Sequence, residues 1–160
     1  MSDSHAVAHG DKTCLFCKII NKEVSAYELI ETRYSVAFLD THPKNRLHVL
    51  IVPKYHGHFL QDIPDQYLTD VLPIAKRFAK ILTKKGGNEN REEEFPFRIL
   101  QNNGIKAGQE VEHVHFHFIP VGPVNLGPNS NSIDKKVFTQ ELEEFQHYLK
   151  KELSGGDEEN

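Results

Sequence analysis

The chain predicts a single α+β domain, and three features of the sequence carry that prediction. Its 160 residues are enough for one well-packed core and too few for two comfortable ones. Short runs rich in β-branched and aromatic residues recur without the alternating helices that a parallel sheet requires. One long segment, 64–85, repeats apolar residues at steps of three and four, the period of a helix. About five antiparallel strands are expected, with that helix inserted before the last two, a short N-terminal helix and a C-terminal helix.

The elements follow in order. Residues 1–12 and "SGGDEEN" (154–160) are polar and are expected to be disordered tails. "CLFCKIINKEV" places Phe16, Ile19 and Ile20 at helical spacing. "YELIETR" (27–33) and "YSVAFLD" (34–40) read as the two strands of a hairpin, although no glycine marks the turn. "RLHVLIVPK" (46–54) is the strongest strand, and Pro53 should end it. The helix over 64–85 shows Leu68, Val71, Leu72, Ala75, Phe78, Ala79 and Leu82 on its apolar face. Pro64 stands near its start, and Pro73 should kink or divide it. "GGNENREEE" (86–94) is a solvated loop, "PFRILQNNG" (96–104) a strand leading into a turn, and "HVHFHFIPV" (113–121) the last strand. "GPVNLGPNSNS" (122–132) is a loop, followed by a helix over 137–153 with Leu142, Phe145, Leu149 and Leu153 on one face. The domain proper is expected over 13–122, with the C-terminal loop and helix over 123–153.

Composition narrows the function. A net charge of −4 and the lack of a basic run give no reason to expect nucleic-acid binding. "LHVLIVP" is far too short to span a bilayer, and the N-terminus has no apolar segment of the kind a signal peptide needs. A cytoplasmic protein is expected, with nuclear access left open. No nucleotide-binding glycine motif and no nucleophilic-serine motif is present. Cys14 and Cys17 form a C-x-x-C pair, which in a non-secreted chain is a metal site, a redox pair or two core thiols.

Ten histidines are the compositional oddity, and three stand at alternate positions in "EHVHFHFIPV". Side chains alternate across a strand, so His113, His115 and His117 should share one face and Val114, Phe116 and Phe118 the other. Neighbouring imidazoles cannot all be charged cheaply. Neutral imidazoles suit metal binding or nucleophilic and acid–base chemistry near neutral pH. The preceding loop "NNGIKAGQEVE" supplies glycine-hinged backbone beside amide side chains, a suitable cradle for an anion.

With these residues in view, "AGQEVEHVHFHFIP" resembles the signature of the histidine triad (HIT) family. "FCKIINKEV", "AFLD", "HVLIVPKYH" and "LQNNG", in that order, extend the resemblance to the Hint-type purine nucleoside phosphoramidases over about residues 14–120, in a form like the bacterial and fungal members. The resemblance implies a HIT-type fold and hydrolysis of purine nucleoside 5'-phosphoramidates, such as adenosine 5'-monophosphoramidate, through a nucleotidyl-histidine. His115 would be the nucleophile, with His117, His113 and Asn102 as the other catalytic residues. His117 would bind phosphoryl oxygens and help protonate the leaving group. Asn102, Gly108, Gln109 and Glu110 would lie at the phosphate, Asp40 and Thr41 at the ribose, and Leu15, Phe16, Ile19 and Phe38 around the base. Glu110 departs from the serine of the best-known animal members, so a hydroxyl contact to phosphate is replaced by a carboxylate that can repel it. The C-terminal helix also departs from the short ending of those proteins.

Some proteins of this type join a C-x-x-C pair to two histidines. The resemblance implies Cys14, Cys17, His48 and His113 as ligands of a structural zinc, with no cofactor for catalysis, and places His56 in a loop or around that site. A homodimer using the 64–85 helix and a strand edge is implied as well. A dinucleoside polyphosphate hydrolase, a nucleotide-binding regulatory protein with incidental catalysis and a zinc-stabilised interaction module are the alternatives.

Overall fold

The computed structural model describes residues 6–45, 47–85, 96–121 and 135–155. The expected loops over 86–94 and 122–132, and the outermost residues of both tails, lie outside them. Strands β1 (Glu28–Glu31), β2 (Ser35–Leu39), β3 (Val49–Pro53), β4 (Phe97–Gln101) and β5 (Phe116–Pro120) accompany helices α1 (Leu15–Ile20), α2 (Val71–Lys85) and α3 (Lys135–Gly155). The strands form one sheet in the order β1-β2-β3-β5-β4, with every neighbouring pair antiparallel. This is the expected α+β arrangement.

Every residue of β2 and β3 is buried, because both faces of the sheet are covered. On one face Ala37, Leu39, Val49 and Ile51 pack with Ile74 and Phe78 of α2 and Leu142 and Leu149 of α3. On the other, Val36, Phe38, Leu50 and Val52 pack with Phe16, Ile19 and Ile20 of α1. Two-sided burial explains why these strands read as continuous apolar runs rather than alternating ones. Edge strand β4 leaves Phe97, Ile99 and Leu100 exposed.

The long helical segment does divide. Asp65–Leu68 forms a 3-10 turn and the α-helix begins at Val71. Pro73 therefore falls in the first turn, where backbone N–H groups have no partner within the helix, so the missing donor costs nothing. Its buried stripe is Val71, Ile74, Ala75, Phe78, Ile81 and Leu82, whereas Leu72 points outward and is 62% exposed.

The hairpin without glycine is held by side chains. Thr32 Oγ1 accepts hydrogen bonds from the N–H groups of Tyr34 and Ser35. Asp70, just before α2, accepts from the hydroxyls of Thr32 and Ser35. Such a hydroxyl-centred turn needs no left-handed residue.

Two boundaries differ from expectation. Part of the supposed N-terminal tail is docked: Ala8 N–H donates to Lys54 O (2.6 Å), His56 N–H donates to Ala8 O (2.9 Å), and His9 stacks on Tyr55. At the other end α3 continues through Ser154 and Gly155. No helix among the described residues is long and apolar enough to cross a membrane.

Phe78 is fully buried against Phe118. Phe78→Ala is expected to cost about 3–5 kcal/mol in chemical denaturation, the range for emptying a buried aromatic site. A loss below about 1 kcal/mol would show that the two-sided core does not depend on this contact.

Candidate active site

An open cavity of about 870 Å³ lies on the α1 side of the sheet. Leu15, Phe16 and Ile19 of α1 and Phe38 of β2 form its apolar part, Asp40 and Thr41 follow at the end of β2, and Asn102, Gly108, Glu110, His115 and His117 line the polar part. The sequence-predicted residues are thus brought together from four separate segments, with two exceptions described below. His48, Lys44, Glu143 and Gln146 also line the cavity and had no role there in the sequence reading.

Strand β5 starts only at Phe116, so two of the three histidines precede the ladder. They still lie on the α1 side, where the Phe16 ring meets the edges of His113 and His115 and His115 meets His117 with ring centroids 4.9 Å apart. Phe118 points into the opposite cluster.

Each histidine has its tautomer set by a neighbour. The Nδ1–H of His115 donates to the carbonyl oxygen of His113 (2.7 Å), because a carbonyl can only accept. The free lone pair of His115 is therefore on Nε2. Burial, the largest influence, lowers the pKa of His115 and keeps it neutral, while the hydrogen bond to His113 and the charges of Asp40 and Glu110 act the other way.

A second chain of bonds fixes His117. Lys44 N–H donates to His48 Nδ1 (3.1 Å), so the proton of neutral His48 is on Nε2. That Nε2–H donates to His117 Nδ1 (2.8 Å), which leaves the proton of neutral His117 on Nε2. Asp40 Oδ2 stands 3.5 Å from His48 Nε2, and its Oδ1 accepts the N–H of His42. Burial first, then His115, His48 and Lys44, push His117 down to about 4 against the pull of Asp40.

The glycine-hinged loop behaves as a braced cradle. Gly104 and Gly108 have φ of +89° and +87°, a left-handed region that a side chain would strain. Gln109, predicted at the phosphate, is buried and does not line the cavity. Its Oε1 accepts the N–H of Gly104 (2.7 Å) and its Nε2 donates to His58 O (2.8 Å), so both ends of the amide hold the loop shut. Asn102 Nδ2 reaches Gly108 O at 3.4 Å.

The other exception is His113, whose imidazole faces away from the cavity. Cys14 Sγ, Cys17 Sγ, His56 Nδ1 and His113 Nδ1 converge within 4.8 Å of one another. His113 Nδ1 lies 3.5 Å from Cys14 Sγ, 3.6 Å from Cys17 Sγ and 3.2 Å from His56 Nδ1. A tetrahedron built on Zn–N and Zn–S bonds has edges of roughly 3.3–3.8 Å, so the four donors fit zinc. The Nε2–H of His113 donates to Pro53 O (2.9 Å), which turns the Nδ1 lone pair toward the thiols, as an outer partner does for a metal-bound imidazole. Asp11 N–H donates to Cys17 Sγ. His56, expected beside the site, is thus within it, and His48, expected as a ligand, is not. His48 instead bonds His117 at the opposite end of β3, and five residues of strand span roughly 17 Å.

The HIT domain profile matches residues 21–123, and the chain belongs to this family. Among its relatives, adenosine 5'-monophosphoramidase HNT1 of Saccharomyces cerevisiae is 53% identical over 110 residues, which cover 69% of this chain and 63% of that protein, just under two thirds of its length. Its namesake in Candida albicans is 42% identical over 147 residues, covering 92% and 95%. The crystal structure of the histidine triad nucleotide-binding protein from Candida albicans superposes with a TM-score of 0.62 at 40% identity, over 86% of this chain and 98% of that one. The zinc-bound histidine triad family protein from Mycobacterium smegmatis gives 0.69 at 25% identity, over 92% and 98%.

The sign of the pH dependence follows from the lowered pKa of His117. The unfolded chain takes up its proton near pH 6.5, the folded protein only near 4. The stability this group contributes is present above pH 6.5 and is lost as the pH falls toward 4. Denaturation midpoints should drop across that window, and less steeply in His117→Asn. Equal slopes for both proteins would show that His117 is not held neutral by the fold.

Proposed function

We infer that this chain is an adenosine 5'-monophosphoramidase: it hydrolyses the P–N bond of adenosine 5'-phosphoramidates through a nucleotidyl-histidine on His115. One observation carries the reading. The His113 carbonyl holds the proton of His115 on Nδ1, so a neutral imidazole offers Nε2 at a cavity that also contains a glycine-hinged loop. The names of the yeast relatives supply the substrate class.

The base lies among Leu15, Phe16, Ile19 and Phe38, and the ribose hydroxyls donate to Asp40. His115 Nε2 attacks the α-phosphorus and the P–N bond breaks. A bound phosphate places negative charge beside His117 and favours its imidazolium form. The added proton sits on Nδ1, which then donates to His48 Nε2 as His48 carries its own proton on Nδ1 and gives up the bond from Lys44 N–H. The Nε2–H of His117 passes to the departing amine. Water then attacks phosphorus, gives up a proton to His117, and the P–Nε2 bond breaks to release AMP. His48 is a positioning residue here, since it orients His117.

Cys14, Cys17, His56 and His113 hold a structural zinc. Burial first, with Cys14 and the charge of Asp11 adding to it against the hydrogen bond from Asp11 N–H, pushes the Cys17 thiol up to about 12, and a bound cation would reverse that preference. Zinc held there would anchor His113, whose carbonyl orients the nucleophile. A second copy of the chain covers the exposed apolar side chains of edge strand β4, together with Leu72 of α2.

Mass spectrometry of protein quenched during turnover of adenosine 5'-monophosphoramidate tests the mechanism. Wild type should carry a nucleotidyl adduct and release AMP, and His115→Asn should lose both, with turnover down by roughly a thousandfold or more. Binding of AMP without adduct or cleavage would instead mark a nucleotide-binding protein.

Metal analysis of the purified protein tests the zinc. One zinc per chain is expected, lost or much reduced in His56→Ala and retained in His48→Gln, which should be slow but metallated. Retention in His56→Ala with loss in His48→Gln would restore the ligand set expected from sequence.

A further inference from the structure

Residues 7–11 fall in the segment that the sequence assigns to a disordered tail, yet they bond three of the four members of the thiol cluster. Ala8 forms a parallel bridge with Tyr55, two residues beyond β3. Its N–H donates to Lys54 O (2.6 Å), and its carbonyl accepts the N–H of His56 (2.9 Å). Val7 anchors the segment, with its N–H on Asn21 Oδ1 (3.1 Å) and its side chain against the apolar cluster of α1. Further along, Asp11 N–H donates to Cys17 Sγ (3.4 Å) and Asp11 O accepts the N–H of Cys14 (3.2 Å). Asp11 Oδ1 accepts both the N–H and the hydroxyl of Thr13, each at 2.7 Å, which closes the turn leading into α1.

Packing alone does not explain this arrangement. A neutral thiol is a weak acceptor, so an N–H directed at it contributes little. Directed at a thiolate, the same N–H makes a charge-assisted bond, which is roughly twice as strong. Metal-bound sulfur is thiolate, so the Asp11 N–H has its full effect only when Cys17 is a ligand. The bonds to the N–H groups of Cys14 and His56 act on the backbone and set where those two residues stand. His113, the fourth member, is fixed by Pro53 O at the end of β3. Every residue of the cluster is thus held by a main-chain group from outside it.

We propose that the N-terminal segment is a working part of the metal site. Ala8 and Asp11 are positioning residues: they hold His56, Cys14 and Cys17 in the geometry zinc requires, and Asp11 N–H stabilises the Cys17 thiolate. The inference rests on the reading of the cluster as a zinc site and adds the residues that set how tightly the metal is kept. Outer partners of metal ligands are worth about 10- to 100-fold in metal affinity. The coupling is reciprocal, so a bound zinc holds the segment in place by the same factor.

Competition of the full chain with a chromophoric chelator for zinc tests this without requiring turnover. Asp11→Pro removes the N–H that meets Cys17, and Ala8→Pro removes the N–H that ties the segment to Lys54. Each should raise the zinc dissociation constant about 10- to 100-fold. Asp11→Asn keeps the main-chain N–H and an acceptor for Thr13, and should stay within about twofold of wild type. In wild type, removing zinc should speed tryptic cleavage after Lys12 by about tenfold or more. Were the segment only a packing element, the proline variants would lower the denaturation midpoints of zinc-free and zinc-loaded protein alike and leave the dissociation constant unchanged. That result, or equal cleavage with and without zinc, overturns the inference and leaves the zinc reading standing. Wild type that takes up no zinc overturns both.

Discussion

One carbonyl oxygen, that of His113, determines which nitrogen of His115 can act. It accepts the Nδ1–H at 2.7 Å, and the ring has only one other nitrogen. The direction of that carbonyl depends on where the His113 side chain is held. Its Nε2–H is fixed on Pro53 O, the last residue of β3, and its Nδ1 turns toward two thiols and His56. Side chain and carbonyl of one residue therefore serve opposite ends: the side chain belongs to a structural cluster, the carbonyl to the active site. In the proposed reaction a change at the thiols would reach His115 through the His113 peptide unit and through the ring of Phe16, which meets both imidazoles.

Burial provides the second constraint. His48 and His113 are almost completely buried, and His115 is 5% exposed. Desolvation is the largest cause of the lowered pKa of each. The sheet can bury them because α1 covers the face they occupy while α2 and α3 complete the core on the other. Neutral imidazoles packed together need an ordered set of donors and acceptors, and the backbone supplies it. Lys44 N–H, His113 O and Pro53 O each dictate one tautomer.

The legible part of the fold was what periodicity and composition encode. Strand content, the apolar stripe of the long helix and the break near Pro73 all follow from residues within a few positions of one another. The hairpin at Thr32 had no glycine to announce it because Asp70, 38 residues away, completes the turn. Spacing gave the shared face of the histidines and the glycine-hinged loop, and the resemblance of the surrounding motifs to the HIT family named most of the other cavity residues. The roles of His48 and His56 were not, since both flank the same strand. Only the pairing of β3 with β5, which sets Leu50 opposite His117, puts His48 beside His117 and His56 at the thiols. Gln109 was misplaced for a similar reason: an amide in an anion-binding loop can face the anion or brace the loop. Its two hydrogen-bonding ends, one taken by Gly104 and the other by His58, show the second use. The contribution of α3 had no local signature, because its two cavity residues are polar positions on an otherwise amphipathic helix.

Glu110 shows how the same charge works in two directions. Set beside the histidines, its carboxylate opposes the incoming phosphate, which is the objection the sequence raises. The same field raises the pKa of His115, with Asp40, against the lowering by burial. A more basic imidazole is a stronger nucleophile, provided that it stays neutral, and burial ensures that it does. The two carboxylates and the desolvated pocket therefore act as opposing controls on one nitrogen. Lys44, whose charge lowers both His48 and His117, provides a cation on the His117 side of the cavity. In the proposed reaction, substrate binding changes the balance most at His117. In the free protein burial, His115, His48 and Lys44 hold this residue near 4, and in the proposed reaction it is there that an arriving anion, by favouring the imidazolium, converts a neutral donor into an acid.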